Sequence, residues 1–174
     1  MTNNDELADK LKCIVNHGQR EKYISEYIGI NSRLDSLQAV VLNTKLKYLN
    51  NYIEGRNNAA DFYDKAFTNK TEVKIPQRVE YSNHVFHQYT LNVGDKRNLI
   101  KEKLAKKGIP TMIYYPYPLH LHPAFKHLDY KEGNLPISER LAKEVISLPM
   151  HSELNEEQLT YISNEFKAVI NSIN

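Results

Sequence analysis

Gly29, Asn31 and Arg33 stand at alternating positions just before an apolar-striped segment that opens at Leu34. Glycine frees the backbone of the loop, while an amide and a guanidinium project from the entrance of the helix that the stripe predicts. Backbone amides at a helix start, an Asn side chain and an Arg fork together suit a phosphate or a carboxylate. The plainer reading of the same residues is an N-terminal cap with a surface charge. Three histidines, His120, His122 and His127, lie in and after a proline-rich loop. Two histidines one residue apart could share a zinc ion with a third. No second cysteine and no carboxylate spacing joins them, so no metal is expected. The acidic residues Asp61, Asp64, Glu139 and Glu144 fall on helix faces and form no catalytic carboxylate pair.

The elements that position these residues follow from periodicity. Asn4 or Asp5 can cap a first helix carrying Leu7, Leu11, Ile14 and Val15, with Gly18 to stop it. Residues 17–32 read as irregular. A long helix is predicted from Leu34 to Phe67, roughly 50 Å at 1.5 Å per residue. It carries two adjacent apolar stripes, and Gly55 marks a bend. So broad a face calls for cover by another domain or another subunit. Beyond Pro76, Val85–Val93 alternates as a strand. A helix capped by Asp95 ends at Gly108, and Thr111–Tyr114 forms a short strand before the loop Tyr115–Pro123. A helix from about Pro136 to Val145 leads into the apolar run Ile146–Leu148, and Asn155 caps a final helix. The alternation after residue 70 predicts an α/β layer of α+β character, a small sheet covered by helices. The expected division is 1–68, ending in the long linking helix, and 69–174.

Composition sets the remaining bounds. The 174 residues suffice for one core, and 23 basic against 21 acidic side chains leave a formal charge of +2. No field for nucleic acid or a membrane surface is implied. A single cysteine, Cys13, cannot form an internal disulfide and fits a reduced, cytoplasmic setting. No apolar run approaches membrane-spanning length. Tyrosine is abundant at 12 residues and suits a core, an interface or a polar ligand pocket.

Several segments in order carry a resemblance. They are Asp5–Leu11, Asn16–Tyr23, Ile28–Ala39 with its Gly-x-Asn-x-Arg, Tyr115–Phe125 and Leu148–Met150. Together the chain resembles the C-terminal half of the DegT/DnrJ/EryC1/StrS sugar aminotransferases. The resemblance implies the C-terminal part of a fold-type I pyridoxal phosphate enzyme, a homodimer, and amino transfer to a keto-sugar nucleotide. Dehydratases share that scaffold. It implies that Asn31 reaches a cofactor phosphate across a dimer interface and that Arg33 lies near the substrate. Tyr114-Tyr115-Pro116 matches a His-Tyr-Pro segment that approaches the substrate, so Tyr114 and Tyr115 are expected to bind it. Tyr114 replaces the usual His, and His122 stands where Gln is common.

The resemblance sets the cofactor-holding lysine just upstream of Met1, so the chain is expected to lack it and to carry no catalytic residue of its own. Lys22 is the one lysine in an irregular segment, but it falls in the Arg-Glu-Lys-Tyr stretch and reads as a surface residue. Two expectations follow. The chain is the C-terminal portion of a nucleotide-sugar aminotransferase, inactive alone and dependent on a partner that carries the lysine-bearing domain. Alternatively, it is a non-enzymatic dimerisation or regulatory module derived from that family. Both require self-association or a partner.

Overall fold

The computed structural model describes residues 2–173, in which helices and short antiparallel strands form two compact units that meet in sequence at Tyr48 and Leu49.

The N-terminal unit opens with α1 (Asp5–Val15), capped by Asn4, whose Oδ1 accepts from the Leu7 N–H at 2.9 Å. The cap is thus Asn4 and not Asp5. Cys13 is buried on this helix. A small hairpin follows, β1 (Gln19–Glu21) and β2 (Ile24–Ser25), with Arg20 bonded to Glu26 and to Asp9 of α1. The chain then returns along the end of α1. Ile30 N–H donates to Ile14 at 2.8 Å, Ser32 N–H to Val15 at 3.0 Å, and Asn16 bridges Asn31. That return fixes the role of two glycines. A Cβ on Gly29 would lie 1.9 Å from the Gly18 nitrogen, and one on Gly18 would lie 1.9 Å from the Tyr27 carbonyl oxygen. Gly29 is therefore required by backbone contact and not by a left-handed conformation.

The long helix expected from Leu34 to Phe67 is two helices, α2 (Ser36–Leu46) and α3 (Leu49–Phe67). The interruption lies at Lys47–Tyr48, where Tyr48 N–H bonds the Lys45 carbonyl three residues back at 3.0 Å, a tighter closure than the α-helical one. Gly55 is not the bend. It sits within α3, where a Cβ would come 2.4 Å from the Ser152 carbonyl oxygen, so it serves a close backbone approach.

The C-terminal unit is built on β3 (Tyr89–Asn92) paired antiparallel with β4 (Val145–Leu148). Single bridges at Lys74 and Met112 extend the ladder on its two edges. The register puts Tyr89, Leu91, Ile146 and Leu148 on one face, where they meet α3, α4 (Arg97–Lys106) and α6 (Glu156–Asn171). Tyr63, Phe67, Ile100, Leu104 and Phe166 fill this core. Tyr63 and Tyr89 are fully buried, and their hydroxyls donate to the Pro149 carbonyl at 3.0 Å and to Asp64 at 2.6 Å. Burial raises the pKa of both phenols, so they remain donors.

Three expected elements are trimmed. The strand over 85–93 is reduced to 89–92 because Phe86 takes a positive φ and Arg56 claims the Phe86 and His87 carbonyls at 3.1 and 3.2 Å. The strand over 111–114 is reduced to the Met112 bridge, and the Tyr114–Tyr115 peptide beyond it is cis. Asp95 does not cap α4. It lies in a 3₁₀ turn at Gly94–Lys96, whose first N–H is held by Asn92 Oδ1 at 3.0 Å. The final cap is as the sequence reads: Asn155 and Gln158 bond reciprocally at 2.8 and 3.1 Å at the start of α6. The last helix of the set, α5 (Pro136–Glu144), runs directly into β4.

Candidate functional site

The residues that the sequence marks out fall into two pairs, one in each unit. In the first pair, Arg33 Nε donates to Asn31 Oδ1 at 3.2 Å, and both side chains are exposed. A guanidinium has only donors, so the Asn atom facing it is the oxygen. The amide N–H groups of Asn31 and the terminal nitrogens of Arg33 are the donor ends that the pair offers to an anion. The helix start itself takes a different part from the one its position suggests. Asp35 is the N-cap of α2, and Gln38 Oε1 accepts from the Asp35 N–H at 3.1 Å. A carboxylate at that entrance serves capping and repels an anion. The anion-binding potential therefore lies in the Asn31–Arg33 side chains and not in the helix amides.

The helix behind this pair has no buried residue. Leu37 is 77% exposed, and Val40, Val41, Leu42 and Leu46 are also exposed. An apolar face of this extent on a helix is the mark of an interaction surface.

The second pair lies in the C-terminal unit. Tyr114 is half-buried, Tyr115 is 72% exposed, and their rings meet edge to face with centroids 5.7 Å apart. Both line an open cleft of about 640 Å³ on the face of the sheet opposite the core, together with Tyr117, Leu119, His122 and Leu141. Thr90 of β3 forms part of its floor, and its hydroxyl is 2.7 Å from that of Ser147.

One wall of the cleft is held by an interaction that sequence reasoning missed. His120 is buried, and its Nε2 lies 3.0 Å from Glu139 Oε1. The same carboxylate accepts from the backbone N–H groups of Gly133 at 2.9 and 2.8 Å and of Leu135 at 3.2 Å. Chiefly the Gly133 N–H, then those of Leu135 and the His120 ring, draw the Glu139 carboxyl below its ordinary range, against the opposing effect of desolvation. One carboxylate thus ties the turn at 119–121 to the start of α5. No spacing rule connects residues 120 and 139, although a Glu three residues into a Pro-initiated helix suits its start.

His122 packs edge to face on Tyr117 at 5.0 Å. Among the described residues no group of three or more His, Cys, Asp or Glu side chains could hold a metal ion. Lys22 stands between β1 and β2 with its ammonium 5.0 Å from the Tyr23 ring centroid. No helix among the described residues is long and apolar enough to cross a membrane.

The C-terminal unit is thus a small sheet with helices on its core face and an open cleft on the other, and sequence comparison gives its family. The profile of the DegT/DnrJ/EryC1/StrS aminotransferase family matches residues 1–167, and the chain belongs to that family. It is 45% identical over 164 residues to a pleiotropic regulatory protein of Geobacillus stearothermophilus, covering 93% of this chain and 44% of that one. It is 36% identical to the UDP-N-acetyl-3-dehydro-alpha-D-glucosamine 3-aminotransferase of Acidithiobacillus ferrooxidans, covering 98% of this chain and 45% of that one. The crystal structure of S. venezuelae DesV in complex with a ketimine intermediate superposes with a TM-score of 0.87 at 32% identity, over 98% of this chain and 46% of DesV. The chain thus spans less than half the length of the curated relatives it matches.

Proposed function

We propose that these residues form the C-terminal part of a fold-type I nucleotide-sugar aminotransferase, which moves an amino group to a keto-sugar nucleotide with pyridoxal and pyridoxamine phosphate. The observation that carries this reading is the Asn31–Arg33 pair, bonded at 3.2 Å and exposed beside a helix with no buried residue. Two donor-rich side chains held together at an uncovered apolar face are suited to complete a site whose other parts lie on the surface that docks there. Pyridoxal phosphate, when bound, supplies the electron sink for amino transfer. The donor set of this chain fits its phosphate: the Asn31 amide offers neutral N–H groups, oriented by the bond to Arg33. Arg33 offers a planar fork to a diphosphate or carboxylate. Tyr114 and Tyr115 contact the substrate and exclude water beside it. The lysine that holds the cofactor belongs to the lysine-bearing domain, and the chain works as a dimer or with a partner that supplies that domain.

The test is glutamate-dependent amination of a UDP-linked 3-keto sugar by the chain mixed with the lysine-bearing segment of a family aminotransferase. Turnover is expected in the mixture, and Asn31→Ala is expected to weaken cofactor binding by about 10- to 100-fold, the worth of a hydrogen bond to a charged group. A folded, associated mixture without turnover sinks this reading.

One observation favours a second reading. The relative with 45% identity is called a pleiotropic regulatory protein. On this reading the chain is a non-enzymatic association module, and α2 docks a partner without any catalytic consequence. Association without cofactor binding or turnover is its expected signature.

A further inference from the structure

We infer that the outward face of α6 is a self-pairing surface, on which two copies of this chain meet antiparallel about a two-fold axis at Asn164. Leu159, Ile162, Phe166, Val169 and Ile170 turn the other side of the helix into the core. Glu157, Tyr161, Asn164, Ala168 and Asn171 lie on the outward side, and all five are exposed. Their spacing alternates four and three, so they form one seam over about 20 Å of helix. These residues, and the lysines beside them, all belong to the C-terminal unit, and the inference does not rest on the transferase reading.

The seam is complementary to its own reverse. Its first turn is acidic, with Glu156 and Glu157. Its far end is basic because lysines from other elements close on it. Lys70 donates to Asn171 Oδ1 at 3.0 Å and Lys103 to Ser172 Oγ at 2.9 Å. Both acceptors are uncharged, so the two ammonium charges stay available to a carboxylate. Glu165, which flanks the seam, is held by Lys107 at 3.1 Å and does not offset them. Reversal about Asn164 sets Glu157 of each copy opposite Asn171 and Lys70 of the other, seven positions to either side of the axis. A parallel pairing would set acid on acid instead. Reversal also brings Tyr161 onto Ala168, three positions before the axis against four after it. The Tyr161 ring is 49% exposed and is steadied by its hydroxyl, which donates to the Lys107 carbonyl at 2.9 Å. A flat ring over a methyl group lets the helices approach. An open hollow of about 570 Å³ beside Glu157, Thr160 and Tyr161 gives the opposing side chains room. At the axis each Asn164 amide meets its own copy, donor to acceptor in both directions. Such a contact closes at two copies and makes every off-axis pair twice.

The experiment is sedimentation equilibrium on the 174-residue chain carrying Leu37→Asp, so that α2 takes no part. A contact of one helix is weak, so loading runs from about 50 to 500 µM, a range that dilute velocity runs do not reach. Pairs are expected, and about 0.5 M salt is expected to loosen them. Glu157→Lys and Lys70→Glu each set like charges opposite at both contacts and are expected to weaken pairing about tenfold or more. An equimolar mixture of the two variants is expected to pair again, because each supplies the charge that the other has lost. A purely structural role for Lys70 at the end of α6 cannot produce that rescue. Circular dichroism identifies a variant that fails to fold, and Ala168→Arg, which obstructs the seam, then carries the result. The inference is overturned if the Leu37→Asp chain stays monomeric or if folded variants associate as it does. It is overturned equally if the mixture of two folded variants stays monomeric, or if assembly continues past two copies.

Discussion

Asn31 and Arg33 share a bond that decides which atoms they can offer: the guanidinium takes the amide oxygen and leaves the amide N–H groups as donors. Their identity and spacing are visible in the sequence, and so is the glycine that precedes them. The reason for that glycine is not, because it depends on Gly18 lying against it eleven positions back in the chain. Glu139 was less legible still. It reads as one more carboxylate on a helix face, and only the fold brings His120 and the Gly133 and Leu135 amides onto it. Its carboxyl is drawn down by those donors, so its contribution to stability has a definite sign. Stability from a carboxyl with a depressed folded pKa is present above its unfolded value, about 4.3, and is lost as pH falls through the folded value. Glu139→Gln is therefore expected to be less stable than the parent at neutral pH. The difference should shrink below the ordinary carboxylate range, as followed by urea midpoints across pH. A gap that widens on acidification would contradict the assignment.

Helix ends and strand lengths show where periodicity stops being informative. The Asn155–Gln158 box at the start of α6 was readable because both partners are local. The break between α2 and α3 was not, because neither glycine nor proline marks Lys47–Tyr48. The strand at 85–93 lost its first half to Arg56, a residue about thirty positions away whose guanidinium takes two of its carbonyls. Gly55 tests the same lesson. Helix propensity alone makes Gly→Ala in α3 favourable by about 1 kcal/mol. The added Cβ would lie 2.4 Å from a backbone oxygen, which cannot yield as a side chain can. Gly55→Ala is accordingly expected to lower the denaturant midpoint, and a raised midpoint would show that the contact relaxes freely. For α2 the expectation is reversed. Leu37 is so exposed that Leu37→Asp should leave the stability of the chain within about 0.5 kcal/mol. The same change should abolish self-association or partner binding in sedimentation velocity. An unchanged sedimentation profile would remove α2 from the interface.

At the scale of the whole molecule, the near balance of charge and the tyrosine content constrain what the chain can recognise. Two tyrosines close the core, while Tyr114, Tyr115 and Tyr117 turn to the cleft. No composition rule divides them between these uses, since that depends on the strand register. The family was legible from ordered short segments, and the profile match over residues 1–167 shows it. The central claim is that this chain brings phosphate and substrate contacts to a cofactor held by a lysine elsewhere. Borohydride trapping of pyridoxal phosphate, with intact mass and peptide mapping, tests it most directly. The chain is mixed with the lysine-bearing segment of a family aminotransferase, and each component is also treated alone. The account predicts one stoichiometric adduct, on a lysine of the added segment and none on this chain. A stoichiometric adduct on a single lysine of this chain would contradict it.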